Sequence, residues 1–242
     1  MTSRFECLSP AGLYADAFGV DVPPIELGRE VWPRRAGAFI RCVPGDVRPM
    51  SDGTAGAQAA ATGARRALAV GQFGLVPRWV KSASDARLRS PKWIDVRAEA
   101  VSTARHTLSA WEAGQLCIVP AQAFFVDDMR SGKAVLTRIA RVDGKAMGLA
   151  GVWEQWSQDG DAITSFALLT VHADSHALMR RYGHNGSEKR MPAILGEGAY
   201  DAWLTARPDK AREFLRAYPA NALLANPVQT KAPAVPAAVR GL

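Results

Sequence analysis

The chain has 242 residues, 48% of them hydrophobic, with 30 Lys and Arg against 23 Asp and Glu and a formal charge of +7. This is enough apolar content for one sizeable core. Three cysteines, Cys7, Cys42 and Cys117, without Cys-x-x-Cys spacing indicate neither a disulfide framework nor a thiolate zinc site. No stretch approaches the roughly twenty apolar residues of a membrane span, and no leader-like run opens the chain. The expectation is therefore a soluble, cytoplasmic protein with one large domain over residues 1–230 and a Pro/Ala-rich tail over 231–242. A sequence pI near 9.7 favours an anionic partner, with nucleic acid the first candidate.

Taken in chain order, Pro10 to Asp21 reads as a short helix with Leu13, Tyr14 and Phe18 on one side, closed by Pro23-Pro24. Ala38 to Val43 reads as a buried strand ending at Pro44-Gly45. Residues 50–66 hold almost no large side chain and read as a flexible loop. Ala67 to Val70 and Phe73 to Val76 form the next strand, stopped by Pro77. Ala100 to Gly114 has Val101, Ala104, Leu108 and Trp111 at helical spacing. Short apolar strands follow at Leu116–Val119, Phe124–Phe125, Ala134–Ile139, Ala146–Glu154 and Ser165–Val171, separated by Gly and Asp turns. Ser175 to Tyr182 is expected to be helical, Gly183 to Glu188 a loop, Ala199–Leu204 and Pro208–Ala217 helices, and the Pro- and Ala-rich chain from Pro219 need not be regular.

Three segments carry a family resemblance: Phe73-Gly74-Leu75-Val76-Pro77-Arg78-Trp79 with Asp95-Val96-Arg97-Ala98-Glu99 after it, Cys117 to Phe125, and Gly148 to Trp156 with Arg190-Met191-Pro192. Together they resemble the SOS response-associated peptidase family, whose members bind single-stranded DNA at abasic lesions. The resemblance implies an α+β fold, with mixed or antiparallel sheets forming a barrel-like core surrounded by helices. It also implies single-stranded or abasic-site DNA as partner, with no cofactor and no metal.

The family's chemical positions fall on altered residues here. The N-terminal cysteine, whose amine and thiol trap the sugar aldehyde, is Thr2. The asparagine that orients it is Asp95, the glutamate that carries protons falls on Val126, and the histidine before Arg-Met-Pro falls on Glu188. Valine holds no proton. These substitutions imply a divergent member that keeps the DNA groove without the covalent crosslinking chemistry. Two alternatives stay open: an active crosslinking enzyme or autopeptidase rebuilt around Asp127 and His184, and a non-catalytic scaffold for a protein partner. The DNA-handling positions are carried over as Arg97 and Arg190 for phosphates, with Arg4, and Phe73 and Trp79 for base stacking. Glu99 is expected to pair with one of the arginines. His172, Asp174, His176 and His184 have a spacing that suits a metal only poorly, lacking the glutamate of a His-Glu-x-x-His motif.

Overall fold

The computed structural model describes residues 4–22, 25–43, 65–158, 160–184 and 186–228. In chain order the early strands are β1 (Phe5–Glu6), β2 (Glu30–Val31), β3 (Ala36–Val43), β4 (Arg65–Phe73), β5 (Asp95–Arg97) and β6 (Leu116–Ala121). They are followed by β7 (Ala123–Asp128), β8 (Val135–Arg141), β9 (Met147–Gln158), β10 (Asp161–His172), β11 (Arg190–Pro192), β12 (Ile194–Leu195) and β13 (Leu223–Pro227). The short helices are α1 (Leu13–Phe18), α2 (Ala83–Arg89), α3 (Leu108–Glu112), α4 (Tyr200–Leu204) and α5 (Pro208–Ala211).

Strands β4, β3, β6, β9 and β10 pair in sequence, and β10 returns to β4 in parallel. The result is a closed five-stranded mixed barrel, and the fold is α+β. A second, antiparallel sheet runs β13-β8-β7-β1-β2. Phe5 of that sheet joins the two, with its ring 5.3 Å from Phe73 and 6.2 Å from Phe166. Gly37 makes this cluster possible, because a Cβ there would lie 3.0 Å from the Phe166 ring and 3.3 Å from Phe5. Burial removes all of β6 from water, which is why it reads as a continuous apolar run rather than an alternation.

Strand β4 ends where Gly74 turns the chain at φ 117°, in a place where a Cβ would meet the Ser90 carbonyl at 2.5 Å. The following loop is pinned to the barrel by Arg78, whose Nε donates to Glu154 Oε1 at 2.8 Å. The Glu154 side chain is 1% exposed and also accepts from Ser109 Oγ at 2.7 Å. A buried carboxylate needs such partners to remain charged. Trp156 and Trp203 are core residues, each donating its indole N–H to a backbone carbonyl.

Several expected elements differ. Between Ala100 and Gly114 only Leu108–Glu112 is α-helical; Thr107 turns its hydroxyl onto the Val101 and Ala104 carbonyls, so the first part folds as successive turns. Ser175 to Tyr182 holds just one 3-10 turn, Met179–Arg181. There His176 Nδ1 accepts from the backbone N–H of Leu178 and Met179 while Nε2 bonds the Tyr218 carbonyl at 2.7 Å. Both of its nitrogens thus serve the backbone. The region after Pro219 is not irregular throughout, since β13 pairs with β8 over five residues. The flexible loop expected at 50–66 lies outside the described residues apart from Arg65 and Arg66, which already belong to β4. The tail at 231–242 also lies outside them. No helix among the described residues is long and apolar enough to cross a membrane.

Candidate functional site

The site grows out of β10. Its first half closes the barrel, and its second half runs beyond it with β5 on one side in parallel and β11 on the other in antiparallel. Thr170 therefore pairs with Arg97 across one edge and Pro192 across the other. Side chains alternate along a strand, so Asp95 and Arg97 share one face of β5 while Val96 enters the core at 3% exposure. These strands, the end of β7, and the stretches Tyr182–His184 and Ser187–Lys189 line a cleft of about 600 Å³.

Asp95, Arg97, Val126, Asp127, His184, Glu188 and Arg190, distant in sequence, all line this cleft. Thr2 lies outside the described residues. Arg190 is almost wholly buried, its side chain 5% exposed. Its Nε donates to Thr170 Oγ1 at 3.1 Å and its Nη2 to the Thr170 carbonyl and Glu99 Oε2, each at 2.7 Å. Its Nη1 donates to Glu188. Arg97 is far more open, 63% exposed, with Nη2 3.0 Å from Glu188 Oε2. His172 stands between two carboxylates, Nδ1 at 2.8 Å from Glu188 and Nε2 at 3.3 Å from Glu99. Glu188 and Glu99 thus neutralise both arginines before any ligand arrives. Against the upward pull of burial, its own backbone N–H, Arg190 and His172 hold the Glu99 carboxyl below the ordinary range.

Asp95 behaves in the opposite way. Burial pushes its carboxyl upward although Arg190 and Arg97 pull it down. One of its oxygens, Oδ2, is buried without a hydrogen-bond partner among the described residues. Val126 is 3% exposed and contributes only an apolar surface to the wall. Asp127 engages the far loop through its backbone, its carbonyl accepting from Gly183 N–H at 2.8 Å. His184 is exposed on the rim, with its carbonyl accepting from Ser187 Oγ at 2.7 Å.

The aromatic positions divide. Phe73 has no exposed surface and stacks on Phe166 at 5.5 Å, so the base-stacking role expected of it is corrected to core packing. Trp79 is half-buried, carrying the Arg105 guanidinium 4.5 Å over its ring and meeting Trp93 edge-on at 5.7 Å. Trp93 in turn stacks on His106 at 5.4 Å, inside the cleft, and burial lowers the His106 pKa. Arg4 does not reach out to solvent. It is sandwiched between Trp32 and Phe125, in close contact with Glu30 off the hydrogen-bonding direction, and its side chain is 12% exposed. The phosphate contact expected of it is corrected to a packing role.

Sequence reasoning missed Trp93, His106 and Lys92 on the near wall, Thr170 as the anchor of Arg190, and His172 as the link between two glutamates. The position of Trp93 two residues before Asp95 was the available signal. Thr170 carried none, because only the strand pairing brings it beneath Arg190.

A closed mixed barrel whose extended strand β10 is flanked by β5 and β11, each bringing an arginine to the cleft, defines an α+β protein. The chain belongs to the SOS response associated peptidase family, whose model matches residues 1–235. Membership supports a DNA-related role associated with the SOS response. A solved structure of a Bordetella bronchiseptica protein is 34% identical, covering 94% of this chain and 100% of its own, with a TM-score of 0.79. A Bacteroides thetaiotaomicron protein at 18% identity covers 93% of this chain and 91% of its own, with a TM-score of 0.73. A phage-related protein from Bordetella bronchiseptica at 17% covers 94% of both chains, with a TM-score of 0.60. These last two bear on the fold alone. No curated protein matches the chain.

Proposed function

We propose that the cleft binds single-stranded DNA, including strands with an abasic site, and does so without forming a covalent crosslink. The placement of Arg97 and Arg190 on the two strands flanking β10 carries this reading, with Lys92 and Lys189 lining the same cleft. Planar guanidinium forks suit phosphate oxygens. The absence of crosslinking rests on Val126, an apolar wall where the resemblance calls for a proton carrier, and on Thr2, which has no thiol.

A second reading, an enzyme with a rebuilt site, draws on Asp95. A carboxyl pushed upward by burial inside a cleft is a candidate for proton transfer. Fluorescence anisotropy with a labelled single-stranded oligonucleotide tests the binding. Affinity should fall steeply with salt, and Arg97→Ala should flatten the slope. Intact mass after incubation with an abasic oligonucleotide separates the two readings: an unchanged mass supports the first, and an added oligonucleotide the second.

A further inference from the structure

His172 and His176 lie close in sequence but are held in different ways. Both nitrogens of His176 serve the backbone. The His172 ring makes no hydrogen bond to the backbone among the described residues, and its side chain is 58% exposed. Its two nitrogens meet carboxylates instead, Nδ1 lying 2.8 Å from Glu188 Oε1 and Nε2 3.3 Å from Glu99 Oε1. A neutral imidazole carries one N–H, so it donates to one of these oxygens while its other nitrogen faces the second, lone pair to lone pair. Only the imidazolium, with two N–H groups, satisfies both. The ring is placed for the charged form.

The same two glutamates hold the arginines of the cleft. Glu188 shares Oε1 between Arg190 and His172 and gives Oε2 to Arg97. Glu99, in the turn after β5, gives Oε2 to Arg190 and Oε1 to His172. With a neutral imidazole, two guanidiniums face two carboxylates and the set is balanced. One proton on His172 leaves a positive charge in excess. It also gives each glutamate a cation to keep when an arginine turns to another anion, so that neither half-buried carboxylate is stranded. The other charged groups around the ring are three. Asp174, just past the end of β10, stands 3.9 Å from Nδ1 with Oδ2 while its Oδ1 accepts from Lys189 N–H. Lys189 itself turns Nζ to the His184 carbonyl. Arg212, after α5, lines with His172 and Glu99 a smaller cavity of about 480 Å³.

We infer that His172 is a positioning residue of the cleft: its imidazolium holds Glu188 and Glu99 while Arg97 and Arg190 turn to the phosphates of a strand, so that binding takes up a proton. This rests on the cleft's being a single-strand site. By linkage the strand and the proton strengthen each other, and histidine is the side chain that changes charge between pH 5 and 8. The test is anisotropy with a rhodamine-labelled oligothymidylate on the full chain, at pH 6 and pH 8 in matched salt. The wild type should bind about tenfold more tightly at pH 6, within the range of such couplings. His172→Gln, which offers an N–H but no charge, should bind equally at the two pH values. Calorimetry in two buffers of different ionisation enthalpy should show proton uptake on binding by the wild type and none by the variant. A pH effect that survives intact in His172→Gln places the proton elsewhere, on His106 or His184 of the same cleft, and overturns the inference. Equal wild-type affinity at both pH values also overturns it, and either result leaves the cleft reading standing. No binding by the wild type at either pH overturns both.

Discussion

Arg97 and Glu188 meet across the cleft, Nη2 to Oε2 at 3.0 Å, although they come from distant parts of the chain. The same carboxylate accepts from Arg190. On the proposed reading, Glu188 competes with an incoming phosphate for both arginines, and removing its charge should favour DNA. Glu188→Gln is expected to tighten oligothymidylate binding by roughly tenfold, equivalent to ~1.4 kcal/mol. Arg190 keeps Glu99 and Thr170 as partners, so the fold should survive. Anisotropy in matched salt measures the change, and a weaker complex would mean that Glu188 itself contacts the ligand.

Ionised Asp95 is expected to weaken the fold at neutral pH. Its pKa is raised in the folded protein, so the native state holds this proton more tightly than the unfolded chain does. For a raised carboxyl, stability declines as pH climbs from the ordinary aspartate value through the folded value, and the full penalty applies above that. Asp95→Asn should therefore raise Tm at pH 7. The advantage should shrink as pH falls toward the ordinary aspartate range, which thermal unfolding across a pH series would follow. A constant gain at every pH would assign the effect to something other than ionisation.

Removing the Glu154 side chain should instead weaken the fold. It is buried and accepts from Arg78 Nε, Ser109 Oγ and the backbone N–H of Gln155. Glu154→Ala leaves those donors without their acceptor and should cost about 2–4 kcal/mol in urea unfolding. Arg78→Ala should cost less, because that side chain is 57% exposed and can be replaced by water. Equal losses from the two variants would contradict this asymmetry.

Incubated with an abasic-site oligonucleotide, the protein should give no heat-stable adduct on a denaturing gel. Thr2→Cys alone should rescue little, since Val126 stays apolar and Glu188 repels phosphate. Rescue should need Thr2→Cys, Asp95→Asn, Val126→Glu and Glu188→His together, with the new cysteine at the N-terminus. A robust adduct from the unaltered chain would instead direct attention to Asp127, His184 and Asp95.

Much of the cleft was legible because its residues sit beside short motifs. Asp95 and Arg97 flank Val96 in a run that resembles the family's, and Glu188 and Arg190 precede Met-Pro in the same way. The barrel strands were legible from apolar runs bounded by Gly and Asp. What periodicity could not supply was the competition between local hydrogen bonds and helix: Thr107 and His176 each satisfy backbone groups that a helix would have used, so one expected helix shortens to Leu108–Glu112 and the other to a single 3-10 turn. Phe73 misled for a different reason. A motif places an aromatic beside the site but does not say which sheet face it enters, and Phe73 enters the core.

The arginine–glutamate pairing also changes what kind of binder this cleft can be. An open basic patch gathers any anion from solution, releasing loosely held counterions. Here the counterion is tethered, Glu188 lying two residues from Arg190, at an effective concentration of order millimolar or higher. A small anion such as chloride gains little by displacing it, whereas a strand that also engages groups outside the cleft can do so. On the proposed reading, the cleft would act as a selective ion exchanger, giving up its own carboxylate for a polymer rather than for a small anion.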